Sequence, residues 1–194
     1  MNKRMKYLPV YFTTLLLLII VIGCSSSKQL KPVSNAPAVQ EPLHLYEVLP
    51  DEQEKKSLVG FLTREQVTTD TAFDWYQTNL KYFRLDSTTV QSIRAKKDKI
   101  HLVLFMGTWC HDSQQLVPKY FETLKAANFK DENLTIIGTD RNKKTIEGLH
   151  HLFNLQSVPT MIVLQNGIEI GRVVEYGSTT FVDKELGELV QKAE

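Results

Sequence analysis

The chain has 194 residues, of which 42% are hydrophobic and 23% are charged, and its formal net charge is +1. This size and composition suit one globular domain with additional segments. No dense basic block with interleaved aromatic residues occurs, so nucleic-acid binding has no support.

The N-terminus has the pattern of a secretory signal. Lys3, Arg4 and Lys6 precede an almost wholly apolar run at 8–22, which is the order of regions in a signal peptide. An uncleaved membrane anchor is the alternative, but about 16 apolar residues are short for a span of about 20.

Residues 21–24, V-I-G-C, resemble the lipobox of bacterial lipoproteins. The resemblance implies a signal peptide over 1–23 and a lipidated Cys24 that attaches the protein to a membrane. Serines rather than an aspartate follow at 25–27, which by analogy with lipoprotein sorting favours the outer membrane over the inner one. We expect the protein to face the periplasm, although these residues do not decide the face. The Ser-, Pro-, Ala- and Gln-rich residues 24–44 predict a flexible tether.

Residues 45–98 predict a mainly helical N-terminal extension. A short strand is expected at 58–62, and Thr63 begins a capping-box sequence that opens a helical turn. Asp86 is the expected N-cap of a helix that ends near residue 96. A stripe of apolar residues at helical spacing predicts a core-facing helix between them: Phe73, Tyr76, Leu80 and Phe83.

Residues 99–194 alternate strand and helix patterns. The expected elements are strands at 100–106, 134–139, 161–164 and 168–174 and helices at 110–127, 145–153 and 181–193. The pair Asn166-Gly167 predicts a two-residue hairpin turn, and Pro118 is expected to kink the first of these helices. Parallel strands joined by helices, followed by a hairpin, predict a three-layer α/β/α sandwich with a mixed central sheet.

Cys110 follows the first apolar strand of this region and directly precedes a helix. The unpaired N–H groups and the dipole at a helix N-terminus favour the negative charge of a thiolate. No metal or cofactor is expected, because His150 and His151 are adjacent and would point in different directions on a helix.

Several residues together resemble the thioredoxin family: Trp109, Cys110, Pro118, Pro159 and Gly167. The chain resembles thioredoxin-like bacterial lipoproteins that carry the monothiol motif G-T-W-C-x-D-S. The resemblance implies a thioredoxin fold over 99–194, with Cys110 as the attacking thiolate and Trp109 shielding one side of the sulfur.

The same resemblance implies a substrate-binding segment made of Val158, Pro159 and Thr160. Pro159 would be cis and packed against Cys110, which leaves the backbone of Val158 available to an incoming peptide.

Three features depart from the family pattern. Ser113 replaces the second cysteine, so it cannot resolve a mixed disulfide, although its hydroxyl can donate a hydrogen bond to a thiolate. Leu104 stands where the family has a buried carboxylate for proton transfer. A protonated His111 would favour the thiolate, whereas Asp112 would oppose it, pair with His111, or simply complement the helix dipole.

Two functions are therefore expected. In the first, Cys110 forms mixed disulfides with protein or low-molecular-weight disulfides, and an external thiol reductant resolves them, as in a monothiol oxidoreductase or isomerase. In the second, the fold serves as a non-catalytic binding or chaperone-like module of the cell envelope. Whether the protein is an enzyme stays open at this stage.

Overall fold

The structure, a computed structural model, describes residues 45–179 and 181–194. The predicted signal peptide, Cys24 and the tether lie outside the described residues. The strands are β1 (Tyr46–Pro50), β2 (Lys56–Leu62), β3 (His101–Met106), β4 (Leu134–Gly138), β5 (Thr160–Gln165) and β6 (Ile168–Val174). The α-helices are α1 (Arg64–Thr69), α2 (Trp75–Leu80), α3 (Ser87–Lys96), α4 (His111–Ala126), α5 (Leu149–Leu152) and α6 (Val182–Gln191), with short 3₁₀ turns at Asp131–Asn133 and Ile146–Gly148.

The strands form one mixed sheet in the order β1-β2-β4-β3-β5-β6. β3 and β4 are parallel, and the other neighbouring pairs are antiparallel. The parallel pair is connected through α4, because parallel strands need a crossover, and the antiparallel pair β5–β6 needs only a tight turn. That turn is Asn166-Gly167, with φ of 52° and 77°, so the predicted hairpin is confirmed.

Both faces of the sheet are covered, which is why β3 reads as an unbroken apolar run. Its side chains alternate between two cores, since successive residues of a strand point to opposite faces. Leu102, Leu104 and Met106 pack with helices α2, α3, α4 and α6. Val103 and Phe105 face the opposite side, where Leu149, Phe153 and Leu155 cover them. The result is the predicted three-layer arrangement.

The N-terminal extension belongs to the same sheet. β2 pairs antiparallel with β4, with Gly60 opposite Gly138, and β1 forms the edge as a hairpin with β2. The predicted strand and the predicted capping box at Thr63 are both present, as is α3 behind its Asp86 cap. β1 was not predicted, because it is mostly exposed and has no buried face to impose alternation.

Two predicted helices are shorter in the structure. The segment expected as a helix at 145–153 is broken, because Glu147 (φ 51°) and Gly148 (φ 65°) adopt left-handed conformations. The aromatic stripe of the extension extends beyond α2 at both ends: Phe73 precedes the helix and Phe83 follows it. Phe73 and Tyr76 are nevertheless buried, so the prediction that this stripe faces the core is right for them.

Pro118 lies inside α4 without ending it. Because proline has no N–H, the carbonyl of Gln114 one turn earlier lacks its helical donor. The side chain of Asn79, from α2, takes that place, and its Nδ2 donates to the Gln114 oxygen at 3.1 Å. The extension thus completes the backbone hydrogen bonding of α4, the helix that carries Cys110 at its start.

Candidate functional site

Cys110 is the N-cap residue of α4 and has an extended backbone, with φ −87° and ψ 121°. Its N–H donates to the carbonyl of Gly107 at 3.0 Å, and its own carbonyl accepts the first helical hydrogen bond from Gln114 at 2.9 Å. The thiol is free and partly buried. The tight turn between β3 and α4 therefore places the sulfur at the N-terminal end of the helix, where the first backbone N–H groups lack helical partners.

The loop before β5 lies against this sulfur. The Val158–Pro159 peptide bond is cis, as predicted. Cys110 Sγ donates a hydrogen bond to the carbonyl of Val158 at 3.2 Å, while Thr160 is buried and its hydroxyl donates to the Ser157 carbonyl at 2.7 Å. The structure thus brings the predicted substrate-binding segment together with the cysteine. Its role in binding stays a prediction.

Ser113 is fully buried one turn into α4. Its hydroxyl accepts a hydrogen bond from the Gly107 N–H at 3.2 Å. No hydrogen bond joins Ser113 to the cysteine sulfur, and the Cys110 thiol donates to the Val158 carbonyl instead. Ser113 therefore secures the turn before the cysteine in this structure.

His111 and Asp112 enter a polar network on the first turn of α4. The hydroxyl of Tyr176, from the turn after β6, lies 3.1 Å from Asp112 Oδ1 and 3.0 Å from Gln115 Oε1, and its single proton is donated to one of these acceptors at a time. Gln115 Nε2 lies 2.8 Å from His111 Nε2. The partner of Asp112 is thus a tyrosine hydroxyl, and Gln115 connects that tyrosine to His111.

Tyr176 was missed by the sequence reasoning. It follows β6 in a turn, and no periodic pattern or motif marks it. Burial raises the pKa of Tyr176 above its usual value, and the hydrogen bond to Asp112, the negative charge of Asp112 and the nearby Cys110 add to the shift. The phenol therefore keeps its proton at neutral pH and acts as a hydrogen-bond donor beside the thiol site.

Trp109 is partly buried next to the cysteine. Its Nε1 donates to the Thr139 carbonyl at 2.8 Å. The backbone of Gly107 lies against the indole so closely that a Cβ there would come within 2.6 Å of the ring. The guanidinium carbon of Arg141 lies 5.4 Å from the ring centroid, within the range of a cation–π contact.

Arg141 is itself held by the N-terminal extension. Its Nε and Nη2 donate to the two carboxylate oxygens of Asp51 at 2.8 and 2.7 Å. The Asp51 side chain is only 4% exposed. The pKa of Asp51 lies well below its usual value, first because of the bond from Arg141 and then because of bonds from the backbone N–H groups of Glu54 and Gln53. Sequence reasoning gave neither residue a role, because they are far apart in the chain.

The described residues have no carboxylate at position 104 and no cluster that could hold a metal ion. Leu104 is fully buried in the larger core among apolar neighbours, at the position where the family pattern has a carboxylate for proton transfer. Within 45–179 and 181–194, no group of three or more His, Cys, Asp or Glu side chains is placed to hold a metal ion. No helix in the described part of the chain is long and apolar enough to cross a membrane.

A cysteine at the start of a helix, facing a cis-proline loop beside a mixed sheet, defines a protein of the thioredoxin-like class. A thioredoxin family model matches residues 61–181. The chain therefore belongs to the thioredoxin family, and its three-layer α/β structure is the thioredoxin fold with an N-terminal extension. The family is associated with thiol–disulfide redox chemistry.

The chain is also similar to individual proteins. The thioredoxin of Echinococcus granulosus is 32% identical over 79 residues, which are 41% of this chain and 68% of that protein. Among solved structures, Fasciola hepatica thioredoxin aligns with 18% identity and a TM-score of 0.36, covering 54% of this chain and 89% of that one. A Pseudomonas aeruginosa protein of unknown function aligns with 16% identity and a TM-score of 0.43, covering 66% and 83%.

Proposed function

We propose that this protein is a monothiol member of its family, in which Cys110 exchanges disulfides through a mixed-disulfide intermediate. The observation that carries the proposal is the partly buried free thiol at the start of α4, in contact with the cis-proline loop. A thiol able to attack a disulfide and a loop able to hold its backbone support the proposal, while Ser113 and Leu104 stand at the positions of the second thiol and of the proton-transfer carboxylate.

The exchange has two balanced steps. The Cys110 thiolate attacks one sulfur of a substrate disulfide, forms a new S–S bond to it, and releases the other sulfur as a thiolate that takes up a proton. An external thiolate, from a protein or a small thiol, then attacks the substrate sulfur of the mixed disulfide, forms a disulfide with the substrate, and releases Cys110 as a thiolate, which is its reduced form. The external thiol is required because Ser113 holds a hydroxyl at the position of the second thiol.

The hydrogen bond from Cys110 to Val158 links the chemistry to substrate binding. In the reduced protein the Cys110 thiol donates its hydrogen bond to the Val158 carbonyl at 3.2 Å. The thiolate that attacks and the sulfur of the mixed disulfide both lack a proton to donate, so in either state that carbonyl is free to accept an N–H from the substrate peptide. Loss of the thiol proton therefore makes the Val158 carbonyl available to the substrate's backbone, which binds in the manner of an added strand.

The proposal is tested by trapping. The reduced full-length protein, carrying C24A so that Cys110 is its only thiol, is mixed with a peptide that contains one disulfide, quenched with an alkylating agent, and analysed by intact mass. We expect a one-to-one adduct linked through Cys110 that persists until a thiol is added. C110S, which changes a single atom, should form none, and S113C should shorten the adduct's lifetime by supplying a second thiol. A wild-type protein that forms no adduct would refute the proposal.

A non-catalytic binding role is the second candidate. It is supported by the two positions at which the site departs from a dithiol enzyme, the buried Ser113 and the apolar Leu104. A C110A variant separates the two functions, because a binding module would retain its partner and its cellular role without the thiol.

We also propose that the mature protein is anchored to the outer membrane through a lipid on Cys24 and faces the periplasm. The sequence V-I-G-C behind an apolar segment supports this proposal. Labelling with radioactive palmitate should mark the wild-type protein and leave C24A unlabelled, and membrane separation by density should place the labelled protein in the outer-membrane fraction. A wild-type protein without label would contradict the anchor.

A further inference from the structure

We infer that Arg141 is a positioning residue of the thiol site, and that Asp51 of the N-terminal extension fixes it over Trp109. The inference rests on the proposed disulfide exchange for its functional part. The three side chains Asp51, Arg141 and Trp109 are called the stack below. They connect the turn between β1 and β2 to the residue before the cysteine.

The Asp51 carboxylate is held in place by hydrogen bonds from its own turn and from the start of β2. One carboxylate oxygen accepts the backbone N–H groups of Gln53 and Glu54, both at 3.0 Å. The other accepts the hydroxyl of Ser57 at 3.0 Å. With two more bonds from Arg141, the carboxylate is oriented by its own turn before it binds the arginine, so its position does not depend on the arginine alone.

The guanidinium plane of Arg141 is held in one orientation by the same carboxylate. A guanidinium bound through Nε and Nη2 to both oxygens of one carboxylate has little rotational freedom left. That plane lies over the Trp109 ring, with 5.4 Å between the guanidinium carbon and the ring centroid. Only a planar, bidentate cation meets both requirements, so lysine would not reproduce the arrangement fully.

The Arg141 guanidinium is one of several contacts that hold Trp109. Nε1 is held by the Thr139 carbonyl, the same edge of the indole lies against Gly107, and the side chain packs against the core that contains Val103 and Phe105. Arg141 lies over the ring, and Trp109 is only partly buried. Removing the guanidinium would therefore expose more of the indole to water.

The extension also holds the residue before Trp109. The N–H of Leu58, in β2, donates to Thr108 Oγ1 at 3.1 Å, and Thr108 is fully buried. Gln114 Nε2 donates to the Thr108 carbonyl at 3.0 Å. The turn that presents Cys110 is therefore bound by the extension on both sides, through Thr108 directly and through Trp109 by way of the stack.

The experiment uses Trp109 as its own reporter. Trp75 and Trp109 are the only tryptophans of the chain, so in a full-length W75F background all tryptophan fluorescence comes from Trp109. R141Q, R141K and D51N are introduced there. The readouts are the emission maximum, quenching by acrylamide, the rate of mixed-disulfide formation with a peptide disulfide, and the circular dichroism spectrum as a check of folding.

The matched control is R172Q. Arg172 also binds one carboxylate through two nitrogens, at Glu169, and donates to a backbone carbonyl, but it lies outside the stack. R172Q should therefore leave Trp109 emission and the exchange rate unchanged.

We expect R141Q and D51N to shift the emission to longer wavelength, increase quenching, and slow mixed-disulfide formation about threefold to tenfold. R141K should recover part of both effects, and the double variant D51N/R141Q should be no slower than R141Q, because the residues act through one contact. Unchanged emission in R141Q overturns the stack, and changed emission with an unchanged rate overturns its role in exchange. A W75F protein that forms no mixed disulfide refutes the proposed function instead, while its emission still decides whether the stack exists.

Discussion

The hydrogen bond between Asn79 and the Gln114 carbonyl gives a sharp test of how the extension supports α4. N79A removes the side-chain donor that binds this carbonyl, and Pro118 prevents the helix from supplying a backbone donor. A buried acceptor left without a partner costs about 1–3 kcal/mol. Because Asn79 is half-buried and water can reach part of the site, we expect N79A to lower the free energy of unfolding by about 1–2 kcal/mol.

The same reasoning predicts that P118A makes Asn79 dispensable. An alanine in place of Pro118 restores a backbone N–H that can donate to Gln114 within the helix. The cost of N79A in the P118A background should then fall below about 0.5 kcal/mol, whatever P118A does by itself, since a double-mutant cycle isolates the coupling.

Urea unfolding of the four proteins, followed by circular dichroism, measures these differences. Q77A is the matched control, because Gln77 is exposed on the same helix α2, and it should change stability by less than about 0.5 kcal/mol. Equal costs of N79A in the wild-type and P118A backgrounds would refute the reasoning, as would an N79A variant as stable as the wild type.

Three further outcomes are expected. S113A leaves the buried N–H of Gly107 without its acceptor and should lower the free energy of unfolding by about 1–2 kcal/mol; an unchanged urea midpoint would contradict the assignment of Ser113 to that turn. Because Asp51 has a pKa below its usual value, its contribution to stability is complete above about pH 4, the pKa of an unfolded aspartate, and is lost as the pH falls through that value toward its folded pKa. D51N should therefore lose less stability than the wild type between about pH 5 and pH 2, and an equal loss in thermal melts would exclude the linkage. Y176F removes the donor to Asp112 and should cost about 1 kcal/mol by urea unfolding, while an unaffected protein would show that this bond adds no net stability.

The regular elements near the site were predictable because their signals are local. The apolar run of β3, the Asp86 cap of α3 and the Asn166-Gly167 turn each depend on residues that are neighbours in sequence, and each occurs in the structure. The cis-proline loop was predictable from its resemblance to a known family. In these places local preference and tertiary structure agree.

The remaining features depend on contacts between residues far apart in the chain, which no periodicity of the sequence indicates. Asp51 and Arg141 are 90 positions apart, and Asp112 and Tyr176 are 64 apart. Neither pair has a spacing or a motif that would connect its members. The break at Glu147 was also hidden, because a left-handed conformation at a glutamate is set by surrounding structure rather than by the residue's own preference.

The place of β2 in the sheet has a consequence for the order in which the chain folds. β2 is made early, at 56–62, but its neighbour β4 is made only at 134–138. The β1–β2 hairpin can form by itself, but the other edge of β2 has no partner strand until β4 has also been made. Closing the long loop between β2 and β4 costs conformational entropy before the contacts between these strands form, so completion of the sheet is expected to be a late step. The extension is made before the rest of the sheet and is among the last parts to reach its final place.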